Sequence, residues 1–168
     1  MKKKLIALAI GASAATTLFS GVQAFALGLE GSKSVPVTYD SSTSIPDPDN
    51  PTNPTYQVVI PSAITFTEVN KPVDASVSIK DGQDKSKPYV GSDTVKVSVS
   101  SQNNYKVTMT GSNDDLNYNL SYGAHTNDGS IGNLTQNNAE IKGQAVLKDP
   151  ATKVGNHTDT LTYTVQTQ

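Results

Sequence analysis

From Tyr56 onward, apolar and polar residues alternate in short segments separated by Asn, Asp, Gly and Pro, and no stretch sustains the 3.6-residue period of a helix. Val95, Val97 and Val99 stand against Lys96, Ser98 and Ser100. Leu161, Tyr163 and Val165 stand in the same way against Thr160, Thr162 and Thr164, with β-branched threonine suited to the exposed side of a strand. The pattern predicts strands over 56–60, 64–69, 75–79, 94–100, 105–110, 116–122, 141–147 and 158–166. One face of each must be covered, and with no helix available only a second sheet can cover it. The expected fold is therefore all-β, a two-layer antiparallel β-sandwich of Ig-like type with about eight or nine short strands.

The residues ahead of this domain divide by pattern into three. Lys2, Lys3 and Lys4 precede an apolar run from Leu5 to Phe19, and small residues follow at Ala24 and Ala26, which is the layout of a secretory signal peptide over 1–26. In the segment 27–40, Val35, Val37 and Tyr39 alternate with Pro36 and Thr38, predicting one strand with Pro36 placing it at a sheet edge. Over 41–54, Pro46, Pro48, Pro51 and Pro54 are interleaved with Ser, Thr, Asp and Asn, which reads as an extended linker or long loop. Asp47, Asp49 and Asn50 lack the glycine turn of an EF-type calcium loop, so a solvated spacer is expected there. The β-sandwich domain is then 55–168.

Composition narrows the chemistry. The 168 residues include no cysteine, which removes disulfides, thiolate metal sites and cysteine nucleophiles from consideration. All 13 cationic residues are lysine, so bidentate arginine clamps are missing. Once Lys2, Lys3 and Lys4 leave with the signal, ten lysines face 15 acids, a net charge of −5, and nucleic acid is not an expected partner. His125 and His157 both sit among turn-forming residues. No Gly-x-Ser-x-Gly elbow or His-Glu-x-x-His helix marks a hydrolase that might draw on His157 and Asp159, and the pair Asp114-Asp115 reads as a turn-shaper. No catalytic residue, metal or cofactor is expected, and the chain is read as non-enzymatic. Residues 164–168 carry neither a hydrophobic tail nor a Leu-Pro-x-Thr-Gly signal, so retention on a cell is expected to be non-covalent.

Two strand segments share an aromatic-x-aliphatic pattern: Asn104-Tyr105-Lys106-Val107 in the middle and Thr162-Tyr163-Thr164-Val165 at the end. This arrangement resembles the WxL surface domain of Gram-positive bacteria, with Tyr105 and Tyr163 in the places of that family's tryptophans and Val107 and Val165 in those of its leucines. The order of parts is similar as well, from a signal through a first strand and an Asp-Pro-Asn-Pro-like stretch to the terminal strand. The resemblance implies a secreted module held non-covalently on the cell wall, with Tyr105, Val107, Tyr163 and Val165 as the wall- or partner-binding motifs.

These readings together describe an extracellular, cell-surface protein, not integral to the membrane, that associates with peptidoglycan or with a surface partner protein. The alternative is a fibre-like subunit that self-associates, in which the strand bearing Val35, Val37 and Tyr39, freed by the 41–54 segment, adds to the sheet of a neighbour.

Overall fold

The computed structural model describes residues 43–168, which form twelve short strands and no helix. The segments assigned to export (1–26) and to the edge strand with Val35, Val37 and Tyr39 (27–40) lie outside the described residues. The strands are β1 (Ser44–Pro46), β2 (Tyr56–Val59), β3 (Pro72–Asp74), β4 (Val77–Asp81), β5 (Val95–Ser101), β6 (Lys106–Val107), β7 (Leu116–Tyr122), β8 (His125–Thr126), β9 (Ser130–Leu134), β10 (Glu140–Ile141), β11 (Gly143–Leu147) and β12 (Leu161–Thr167). They build three antiparallel sheets ordered β1-β2-β4-β10, β3-β11-β7-β6 and β12-β5-β9, with β8 paired to the end of β7. Alternate residues from every sheet enter one core, among them Val58 and Ile79 from the first, Leu120 and Ala145 from the second, and Val97 and Leu134 from the third. This is an all-β fold consistent with a β-sandwich.

Twelve strands replace the expected eight or nine partly because two runs change sheet midway. β3 pairs with β11, whereas β4 pairs with β2 and β10, so the chain passes between sheets at Ala75 and Ser76. Its antiparallel partner passes back at Lys142, between β10 and β11. At this corner Ala75 N–H donates to Gly143 C=O at 2.9 Å. A side chain at Gly143 would collide with the Tyr122 ring and the Ala75 carbonyl, so the close approach requires glycine. Tyr122 Oη closes the corner by donating to Ala75 C=O at 2.9 Å. Strand-switching corners of this kind let a sandwich keep a single core.

The proline-rich stretch 41–54 is not a spacer throughout, because β1 pairs in register with β2 from Ser44 opposite Val59 to Pro46 opposite Gln57. The reason lies in strand parity. Ile60 N–H donates to Thr43 C=O and Asp47 N–H to Tyr56 C=O, so residues 43, 45 and 47 turn their backbone groups toward β2. Pro46 falls on the alternate row, where its missing N–H would only have faced away. Asp47 is buried and starts the connecting loop, accepting from Asp49 N–H through Oδ1 and from the Thr55 hydroxyl through Oδ2.

Two predicted strands shrink for identifiable reasons. Residues 61–69 alternate as expected, with Ile64 and Phe66 half-buried, but they form no backbone–backbone hydrogen bond among the described residues. They span from Ile60, held on Thr43, to Asn70, whose N–H donates to Leu147 C=O. The run predicted over 105–110 is strand only at Lys106–Val107, because Asn104 and Tyr105 adopt left-handed backbone with φ of 54° and 59°. A single bridge, Thr108 to Thr158, then ties this region to the approach of β12.

Candidate functional site

A left-handed conformation disfavours a bulky L-residue by ~1–2 kcal/mol, so something must hold Tyr105 there. The holding group is Ser101 at the end of β5, whose Oγ accepts from Tyr105 N–H and donates to Asp159 Oδ2, both at 2.6 Å. Asp159 completes its shell with the Tyr118 hydroxyl on Oδ2 at 2.6 Å and with the Asn103 and Thr160 N–H groups on Oδ1 at 3.1 and 2.7 Å. One carboxylate thus joins the β5–β6 turn, β7 and the start of β12. Burial first, and then the proton given to Asp159, push the Tyr118 phenol far above its ordinary pKa, so it remains a donor. The Tyr105 ring rests edge-on against Tyr118, with centroids 6.0 Å apart.

On the other side of Tyr118 lies a groove of about 680 Å³. One wall is the unpaired segment bearing Ile60, Ile64 and Phe66, and the opposite wall is β12 with Leu161 and Tyr163. Phe66 packs on Tyr118 at 5.5 Å between centroids, and Val107 and Leu116 contribute to the floor. The volume is more than four times the ~150 Å³ cavity that holds a benzene. It lies within the range that accommodates ligands or several side chains of an extended peptide.

The wall formed by β12 is also an open sheet edge. Gln102 N–H donates to Thr160 C=O and Gln168 N–H to Thr94 C=O, so the even-numbered residues of this strand turn their backbone groups toward β5. Leu161, Tyr163, Val165 and Thr167 therefore point their N–H and C=O groups away, and no strand pairs with them among the described residues. A largely apolar groove lined by Leu161 and Tyr163, on a strand whose outward row has no partner among the described residues, is a geometry that accepts an added strand.

The loop that closes one end of the groove is pinned by Asp114. Its carboxylate accepts from the Thr152 N–H and hydroxyl, from Lys153 N–H at 2.9 Å, and pairs with His157 Nε2 at 3.0 Å. The Thr152 hydroxyl bond, with the Lys153 amide and His157 assisting, holds the Asp114 carboxyl down at about 2. Its side chain and that of His157 are almost fully buried. The sequence offered His157 with Asp159 as one pairing for a hydrolase, whereas His157 meets Asp114 and Asp159 meets Ser101 and Tyr118. No group of three or more His, Asp or Glu side chains gathers into a metal site among the described residues.

Of the four residues singled out from sequence, Val107 and Tyr163 line the groove and half-buried Tyr105 braces its floor through Tyr118. Tyr163 also places its hydroxyl 3.1 Å from that of Tyr122 at the sheet corner. Val165 is different: it is 7% exposed and belongs to the core, opposite Val97 on β5. Its side chain packs in the core, as inward alternation on β12 directs. Sequence reasoning missed Phe66, Tyr118 and Asp159 as site residues. Tyr118 carried a signal in the run Leu116, Tyr118, Leu120 and Tyr122, but nothing local distinguishes the aromatic beneath the groove from the one at the corner.

Among the described residues no helix is long and apolar enough to cross a membrane. No protein-family model matches the chain, and no curated protein matches it.

Proposed function

We propose that this protein is a secreted, non-catalytic surface module that takes an extended polypeptide segment into the groove beside β12, and is held at the cell surface through such a partner protein. The observation that carries the reading is the conjunction of the open edge of β12 with a largely apolar groove at its Leu161 and Tyr163 end. Backbone groups of Leu161, Tyr163 and Val165 supply generic hydrogen bonds, and the walls of Ile64, Phe66 and Leu161 select apolar side chains at alternate positions. The signal-like N-terminus and the resemblance of the Tyr105 and Tyr163 motifs to a wall-associated family support the extracellular setting. A glycan strand suits this surface less well, because the groove walls are largely apolar.

Sedimentation with Gram-positive sacculi separates the partners. Mature protein is expected to pellet saturably with sacculi that retain their proteins and to stay in solution with stripped peptidoglycan, and Leu161→Glu is expected to abolish pelleting while far-UV circular dichroism stays unchanged. Pelleting with stripped peptidoglycan, undiminished in Leu161→Glu, refutes the proposal and returns the direct wall-binding reading.

A further inference from the structure

We infer that the partner segment carries a lysine or arginine, and that His157 at the end of the groove receives its charged head through Nδ1. The inference rests on the reading of the groove as a strand acceptor; it names the chemistry of the incoming chain and the condition that releases it.

The first observation is an uncommitted nitrogen on a buried side chain. His157 Nε2 lies 3.0 Å from Asp114 Oδ2, and this carboxylate already accepts from Thr152 and Lys153, so Nε2 must be the donor of the pair. In a neutral imidazole the other nitrogen is then an acceptor. The His157 side chain is only 8% exposed, and its one hydrogen bond is the one to Asp114. Among the described residues no side-chain nitrogen or oxygen is sealed away without a partner, so Nδ1 keeps an opening, and the space that His157 lines is the groove.

The second observation is charge. Asp114 stands behind the imidazole and Asp159 lies two residues on, and neither carboxylate is paired with a lysine among the described residues. Lys153 meets Asp114 through its backbone amide and is itself exposed. The facing wall, 60–66, holds no charged residue, and the remaining titratable groups of the groove are the phenols of Tyr118 and Tyr163. With His157 neutral, this end therefore combines two carboxylate charges with one free acceptor, set against largely apolar walls that strengthen the field. A carboxylate on the partner is repelled here, whereas an ammonium or guanidinium matches both the acceptor and the charge. His157 precedes Leu161 on the chain, so the cation belongs at an end of the segment, past the apolar positions that face Leu161 and Tyr163.

The same arrangement makes capture sensitive to acid. Because Nε2 already carries its hydrogen, an added proton goes to Nδ1, which turns the acceptor into a donor and sets one cation against another.

Fluorescence anisotropy with short labelled peptides tests this on the mature chain, from Leu27 onward. The probes alternate valine with serine and carry lysine at both ends, or glutamine, or glutamate, so that strand direction does not matter. At about pH 7.5 the lysine peptide is expected to bind at least about tenfold more tightly than the glutamine one, and the glutamate peptide most weakly. The preference is expected to vanish at about pH 5, where Asp114, which titrates at about 2, still holds the loop. His157→Leu is expected to remove the preference. His157→Gln, which keeps a donor for Asp114 and an acceptor but cannot take up a proton, is expected to retain it at both pH values.

Equal binding of the three peptides overturns the inference and leaves the strand acceptor intact, whereas binding of none overturns both. A lysine preference that survives in His157→Leu, or at about pH 5 in the parent, reports general attraction to an acidic protein and overturns the role of His157. A preference for glutamate overturns it in the opposite sense, with the imidazole donating to a carboxylate.

Discussion

Ser101→Ala removes the hydroxyl that holds the left-handed turn against Asp159. The Tyr105 N–H loses its 2.6 Å acceptor, and Asp159 loses one of its two hydroxyl donors. An orphaned backbone donor costs ~1–3 kcal/mol, and a hydrogen bond to a charged group contributes ~1.5–3 kcal/mol. Ser101 is only half-buried, so water replaces part of both and the lower ends apply, giving a loss of about 2.5 kcal/mol. For a domain of this size that lowers Tm by roughly 10 °C. Urea unfolding followed by far-UV circular dichroism, with tyrosine fluorescence as a second probe, measures the loss at constant m-value. Ser101→Thr keeps the hydroxyl and is expected to stay within about 1 kcal/mol of the parent. The neighbouring Asn104, at φ 54°, provides an independent reading of the strain: Asn104→Ala is expected to cost ~1–2 kcal/mol and Asn104→Gly nothing measurable. A Ser101→Ala protein within about 0.5 kcal/mol of the parent, or a threonine variant as weak as the alanine one, refutes the account.

Further expectations follow from the other anchors. Asp114 titrates at about 2 when folded against an ordinary 3.8, so its contribution is present above the unfolded value and is lost as pH falls from about 4 through about 2; Asp114→Asn should flatten this limb of a stability–pH curve, and an unchanged limb contradicts the assignment. Tyr122→Phe leaves the Ala75 carbonyl without its donor in a buried corner and should cost ~1–3 kcal/mol in chemical denaturation. Tyr163→Phe leaves that bond intact and should cost less than Tyr122→Phe, so the reverse order argues against the corner geometry. Gly143→Ala forces a methyl into the Tyr122 ring and the Ala75 carbonyl, and a destabilisation of ~1–3 kcal/mol or more is expected from thermal melts.

Where a strand has a paired neighbour on both sides and a buried face, period-two alternation located it: Leu116–Tyr122 runs as predicted, and Val95–Ser101 is displaced by one residue. Alternation reports burial, however, and not ladder formation. Ile64 and Phe66 face the interior as a strand's residues do, yet residues 61–69 have no backbone partner, and a single sequence holds no information on which edge lies alongside. At Tyr105 the aromatic-x-aliphatic pattern suggested one face of one strand, whereas the left-handed turn at 104–105 depends on Asp159, more than fifty residues away. Long-range capping of this sort is invisible to local propensity. Val107 and Tyr163, singled out through the aromatic-x-aliphatic resemblance, both line the groove. Val165 was named through the same resemblance, and the sequence could not separate it from Tyr163 because core and groove positions on β12 share one period.

The two ends of this fold treat their edges differently, and the difference bears on solubility. Along β1 the outward row holds Pro46, with Pro48 beyond it, so an approaching chain finds donors missing and cannot extend the sheet. β12 carries no proline or lysine, and its outward row is backed by Leu161, Tyr163 and Val165. Stripped of whatever covers it, such an edge is a template for uncontrolled association. A blunted edge at the beginning of the described chain and an unguarded one at its end mean that the same backbone chemistry that recruits a strand also makes leaving the recruit behind costly for colloidal stability.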